Sequence, residues 1–245
     1  MADSTSPALT ATDDGVRSEV AAALGLLTCS VALLPFFTDS ELLVKVVRHL
    51  MAAALILGIW LDANGRAMPI FVSSIAVLDV IVQWAALDGH TGLLLEMLLS
   101  LAFLLTSAGY LIHRLWGLGE VGASTLIMGT GVYFLLGLCW GLVFMILEAL
   151  APGSFSDGCG LHVGTAGCRP EFGEVPRLEY FAFVTMTTLG YGDVVPLTRQ
   201  AQGVAIGAAV TGQLFMAVLI GRLVGSYLAK PAPRRQRGRS RRQAR

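Results

Sequence analysis

Charge is scarce in this chain. Asp, Glu, Lys and Arg make up only 14% of its 245 residues, while 55% are hydrophobic. Soluble domains carry about a quarter charged residues, so the deficit, together with a mean hydropathy of +0.69, excludes a soluble globular domain. Catalytic signatures are missing too. The apolar segments contain no His/Asp cluster, no nucleophile motif and no HExxH, which argues against a membrane enzyme. The opening MADSTSPALTATDDGVRSE is small, polar and acidic, whereas a secretory signal begins with cations and an apolar core. The first apolar run is therefore expected to persist as an uncleaved span. After Tyr227 no nucleotide- or calcium-binding domain is expected among the residues that follow, since a domain needs at least ~50 residues.

What is present is a series of long apolar runs. Six could cross about 30 Å of hydrocarbon, which takes ~20 helical residues: Val20–Phe37, Leu42–Leu61, Met68–Leu87, Leu93–Trp116, Ala123–Leu150 and Val204–Leu228. The fold class expected is an all-α integral membrane protein with six transmembrane helices. Between the fifth and sixth runs lies the amphipathic segment Arg177–Thr187. It is too short to span, so it is expected to be a re-entrant helix followed by a loop at membrane depth, where irregular backbone survives only if buried or facing water. Arg66, Arg114 and the C-terminal basic block fall on one side if both termini are cytoplasmic, and the loops around Asp39–Glu41 and Asp88–His90 carry no Lys or Arg. That asymmetry satisfies the positive-inside rule. Lys45 and Arg48, near the outer end of the second span, resist it unless they snorkel or pair. The expected organisation is a cytoplasmic segment 1–18, a four-helix membrane bundle 19–117, a pore-like unit 118–229 and a basic cytoplasmic tail 230–245.

The chain is organised around Thr185–Pro196, TMTTLGYGDVVP. Gly190 and Gly192 lack a Cβ and can take backbone angles that other residues avoid. Alternating them with Leu189 and Tyr191 lets successive carbonyls point the same way, and the Thr188 hydroxyl adds a further oxygen. Stacked rings of such oxygens from four copies replace the hydration shell of K⁺. With its flanks YFAFVTMTTLGYGDVVP and GQLFMAVLIGRLVG, the stretch resembles the pore region of the potassium channel superfamily, bacterial channels in particular. Leu189 departs from the family's usual Val without losing its carbonyl. The resemblance covers about residues 120–228. It implies a potassium channel built as a homotetramer, with K⁺ held by Thr188, Leu189, Gly190 and Tyr191, and with Gly192 and Asp193 at the outer mouth. Tyr191 is expected to point away from the ion path and brace the filter. Family members often carry two Trp where this chain has Tyr180 and Phe181, which removes indole N–H donors. Gly212 stands where related channels keep a hinge glycine; close helix packing explains it equally well.

The first four spans resemble a voltage-sensor bundle, but the fourth, LLLEMLLSLAFLLTSAGYLIHRLW, has one Arg and no ladder of cations. Steep voltage gating is not expected. Asp79 and Glu96, acids at membrane depth, call for partners, with Lys45 and Arg48 as candidates. Cys29 and Cys139 sit in apolar spans as core residues. Cys159 and Cys168 flank a glycine-rich outer loop, where a disulfide is the expectation on compartment grounds; free thiols, or a metal site with His162, are the alternatives. Eight of the 17 Lys and Arg lie in Lys230–Arg245, a block suited to anionic membrane lipid and not expected to bind nucleic acid. Competing readings are a non-conducting or accessory subunit, a weakly selective cation channel, and a channel-related uptake transporter, which would need four filter repeats in one chain.

Overall fold

The computed structural model of the chain describes residues 41–62, 65–85, 89–117, 123–156 and 174–228. The expected first span Val20–Phe37, the segments 1–18 and 230–245, and Cys29, Cys159 and Cys168 lie outside the described residues. Six helices follow in chain order: α1 (Glu41–Asp62), α2 (Ala67–Trp84), α3 (His90–Gly117), α4 (Ala123–Leu150), α5 (Glu174–Met186) and α6 (Arg199–Leu228). Four of them, α2, α3, α4 and α6, are long and apolar enough to cross a membrane. The helices match the expected runs within a few residues. α6 starts earlier than its apolar run because Thr198 caps it, its Oγ1 accepting the Ala201 N–H at 3.2 Å. Such a cap satisfies one orphan donor of the first turn.

Local chemistry sets the other boundaries. Pro69 and Pro176 each sit in a first helical turn, where a missing N–H costs nothing. α4 stops at Pro152–Gly153, and Gly153 takes φ +84°. The chain is not purely helical. β1 (Phe155–Ser156) pairs antiparallel with β2 (Val195–Pro196), Phe155 opposite Pro196 and Ser156 opposite Val195. This short ladder ties the end of α4 to the stretch leading into α6.

Packing runs along the chain, α1 on α2, α2 on α3 and α3 on α4, and then α4, α5 and α6 pack on one another. Two main cores result. One joins Leu55 and Ile59 of α1, Val72 of α2 and Phe103 of α3 with Leu135 of α4. The other joins Phe144 of α4, Phe181 and Met186 of α5 and Ala201 and Ala208 of α6, with Phe155 between them. Bare glycines on α4 permit close approach, as small residues do between membrane helices. A Cβ at Gly129 would lie 2.8 Å from Leu219, and one at Gly137 would strike the Phe183 ring. α3 and α4 thus join two separately packed halves.

Candidate functional site

α5 unwinds at its C-terminus into the segment that carries TTLGYGD. The helical ladder runs on to Thr187, whose N–H reaches the Phe183 carbonyl at 2.9 Å. The bonds then leave the i→i−4 register and converge. Thr188 N–H donates to Thr185 O at 3.1 Å, while Leu189 N–H and Gly190 N–H share Val184 O at 3.0 and 3.4 Å. Beyond this point the backbone takes a left-handed conformation at every second residue, with φ +60° at Thr188, +57° at Gly190 and +79° at Gly192. Glycine tolerates that region freely. For Thr188, the non-glycine with positive φ among the described residues, a β-branched side chain makes it a strained state costing about 1–3 kcal/mol. Strain of this kind persists only where the surroundings demand it. Alternation of left-handed and ordinary residues is what lets neighbouring carbonyls face one side instead of opposite sides.

Residues 187–193 are all exposed on the single chain, Leu189 at 54% and Tyr191 at 67%. The segment is nonetheless anchored on its flanks. The Tyr191 ring stacks on Tyr180 of α5, with centroids 6.5 Å apart and planes 8° from parallel. The Tyr180 hydroxyl faces the Asp193 carboxylate. A phenol therefore supplies a donor at one of the two positions where related chains use indoles. At the other, Phe181 forms an aromatic triad with Phe144 and Phe155, centroids 5.0–5.5 Å apart. Below the mouth, Glu148 of α4 accepts the N–H groups of Gly153 at 2.7 Å and Phe155 at 3.2 Å, and Leu197 N–H reaches Ser154 O at 2.8 Å. Glu148 and Phe155 were not singled out from the sequence. A lone acid at the end of an apolar run followed by Pro-Gly was the available signal.

Comparison with known proteins bears on this same region. Residues 167–228 match the ion channel family model. A Rhodopseudomonas palustris protein named as a potassium channel protein is 32% identical over 82 residues, which is 33% of this chain and 20% of that protein. The human voltage-gated potassium channel regulatory subunit KCNG1 is 46% identical over 48 residues, 20% of this chain and 9% of its own length. The chicken regulatory subunit KCNG2 is 36% identical over 78 residues, 32% of this chain and 15% of its own. The matched segment is thus similar to ion channels, and these relatives are named as a potassium channel protein and as potassium channel regulatory subunits. The matches span a fifth or less of those relatives' length.

Within the matched segment, α6 has two notable contacts. Gly212 lies mid-way along an unbroken helix, and a Cβ there would run into the Met186 carbonyl and lie 2.9 Å from its Cα. The glycine is therefore required for contact with the end of α5, a reason for its presence that involves no bending. Near the other end, Arg222 donates to Leu115 O at 2.6 Å and stands 5.3 Å over the Trp116 ring. A cation at the C-terminal carbonyls of α3 is electrostatically favoured, and it fastens α6 to the bundle.

In the bundle, Arg48 of α1 pairs with Glu96 of α3 at 2.8 Å and donates to Gln83 at 2.9 Å. Gln83 and Ser100 both donate to Asp79, at 2.7 and 2.8 Å. Of the two cations offered as partners, Arg48 takes the role, and Lys45 is exposed. Gln83 and Ser100 were not anticipated. They sit one turn from Asp79 and from Glu96, where a helix places neighbours.

Proposed function

We propose that the chain is one subunit of a potassium-selective channel that assembles as a homotetramer and conducts K⁺ passively. The observation that carries this is the alternating left-handed backbone at Thr188, Gly190 and Gly192 in an exposed TTLGYGD segment. A strand of polar backbone with no cover of its own needs partners at membrane depth. Four copies around an axis supply them, and their carbonyls become rings of K⁺ ligands. In this reading Thr188, Leu189, Gly190 and Tyr191 hold the ions, while Gly192 turns the chain at the mouth and Asp193 adds negative potential there. α5 is the re-entrant pore helix, and the negative end of its dipole favours a cation in the cavity below. The remaining proposals are six crossings in all, both termini cytoplasmic in the plasma membrane, and a basic tail that meets anionic lipid. Apolar residues left exposed on α6, among them Ile206 (65%) and Leu214 (60%), suit neighbouring subunits or lipid.

A second reading has a specific motive, because several relatives are named regulatory subunits. In that case the chain would contribute its filter strand only alongside a different channel chain. Purified protein reconstituted alone in liposomes separates the two. K⁺-selective flux with a tetrameric mass in detergent supports the homomeric channel. A monomer without flux supports the regulatory subunit, and equal Na⁺ and K⁺ permeability overturns selectivity.

A further inference from the structure

A cavity of about 140 Å³ lies between α1, α2 and α3 on one side and α4 and α5 on the other. Its wall is largely apolar, with Leu55, Phe103 and Leu138 in the lining, but Arg48, Asp79 and Glu179 reach it too. We propose that the cavity binds a small uncharged alcohol, whose hydroxyl bonds to the Glu179 carboxylate on α5. Charge is not what this site wants. The Arg48 guanidinium, paired with Glu96 at 2.8 Å, also acts on Glu179 through space. What Glu179 lacks is a hydrogen-bond donor. Asp79 accepts from Gln83 and Ser100, whereas no described residue donates to Glu179. Arg48 does not fill that place, because its Nη2 serves Glu96 and Gln83 and its Nε is buried without a partner. The Glu179 oxygens are not sealed in by packing, so among the described residues they open onto the cavity. A neutral hydroxyl supplies the missing donor and leaves the charges as they are. An acceptor withdrawn from water without a donor bears its full desolvation cost.

The packing around Glu179 shapes the site. Gly141 of α4 faces it, and a Cβ there would lie 3.0 Å from the Glu179 Cγ and 3.1 Å from its Cα. The bare glycine lets α5 press the stem of the acid against α4 and leaves the carboxylate end for the cavity. Size limits the occupant. A dry cavity of about 150 Å³ holds one benzene, so the body is one ring or its aliphatic equivalent. Water alone fits poorly, because each buried molecule wants two to four polar partners and most of this lining offers none. The alcohol would touch both the bundle and α5, the helix that leads directly into Thr188. The proposal concerns binding and stands whether or not the chain conducts alone.

The test is photolabelling of the full chain in detergent with a butanol that carries a diazirine, and with the diazirine butane of the same body. Adducts mapped by peptide mass should fall on lining residues of α1, α2 and α5, and excess benzyl alcohol should suppress them. The alcohol should half-saturate at about tenfold lower concentration than the alkane, the value of one charge-assisted hydrogen bond. Glu179→Met removes the acceptor at similar volume. It should bring the alcohol to the level of the alkane and leave alkane labelling unchanged. Ala76→Leu, which fills the cavity from α2, should remove labelling by both. Equal half-saturation of alcohol and alkane, no adduct on the lining, or an unchanged Glu179→Met titration would overturn the assignment. So would labelling that Ala76→Leu leaves intact, or adducts confined to residues 187–193 and α6, which would put the alcohol in the proposed ion path. Should Glu179→Met not purify at the wild-type oligomer mass, the comparison of alcohol with alkane on the unsubstituted chain decides.

Discussion

The two halves of this chain use polar groups in opposite ways. In the bundle, α1–α3 bring polar side chains together and pair them with one another, with Arg48, Gln83, Glu96, Asp79 and Ser100 in one hydrogen-bonded cluster that leaves only the buried Arg48 Nε without a partner. In the α4–α6 half the polar groups that matter are backbone. Thr188 to Asp193 leave the helix with left-handed turns at alternate residues and remain exposed. A closed side-chain cluster specifies the fold of one chain. In the proposed reading, an open backbone strand specifies an assembly and what passes through it. The contrast teaches where substitutions should hurt stability and where they should hurt function alone.

The largest effect is expected from Gly190→Ala. A Cβ at Gly190 meets nothing within 4 Å in its own chain, so the subunit has space for it. The obstacles are the +57° φ, which costs an L-residue about 1–2 kcal/mol, and crowding around the proposed fourfold axis. Selective K⁺ flux into liposomes should be lost while insertion and yield stay near wild type. A wild-type current from this variant would show that the filter lies elsewhere.

Gly212→Ala should affect both halves of the comparison together. Its Cβ would lie 2.9 Å from the Met186 Cα, so α6 must shift away from the end of α5. Overpacking of this kind costs about 1–3 kcal/mol, and both thermal stability in detergent and flux should fall. Gly221→Ala on the same helix meets nothing within 4 Å and should stay within about 0.5 kcal/mol of wild type. If the two variants behave alike, the contact with Met186 does not explain Gly212.

How much was legible in the sequence follows from the same contrast. The helices announced themselves through apolar length, and the proposed filter rests on a motif whose glycines fall where the backbone turns left-handed. Thr188 at positive φ was not legible, because a β-branched residue gives no local sign of being forced there. The bundle cluster was half legible. Apolar surroundings mark Asp79 and Glu96 as needing partners, yet choosing Arg48 over Lys45 requires the rotation of α1 against α3, which composition does not carry. The β1–β2 ladder was missed because two-residue strands leave no periodicity. Glu179 passed unnoticed because a single acid on an amphipathic helix reads as its solvated face.

Arg48→Met should test the bundle alone. It leaves Glu96 without its cation, but the pair is partly exposed, 42% on the arginine side, so the loss should be modest, about 1–2 kcal/mol. Lys45→Met should cost close to nothing. Chemical denaturation of the detergent-solubilised protein measures both, and flux through folded Arg48→Met should persist. A variant that folds normally but no longer conducts would make the cluster part of the conducting machinery.

The smallest effect expected is that of voltage itself. α3 holds Glu96 near one end and Arg114 near the other, with no ladder of cations between them. Arg48 is tied to Glu96, so if this pair moved through the field together it would carry no net charge. Lys45 alone would remain, one charge per subunit. Four such charges in the proposed tetramer would contribute about 9 kcal/mol per 100 mV, and only if each crossed the whole field, at ~2.3 kcal/mol per charge. An exposed Lys45 held at one helix end crosses little of it. Open probability in symmetric K⁺ should therefore vary shallowly across the range where voltage-gated channels switch, and neutralising Lys45 should barely change the slope. A conductance rising e-fold within a few millivolts would mean that charge does move. The Arg48–Glu96 pair must then part during opening, and the bundle could no longer be treated as a rigid support for the pore.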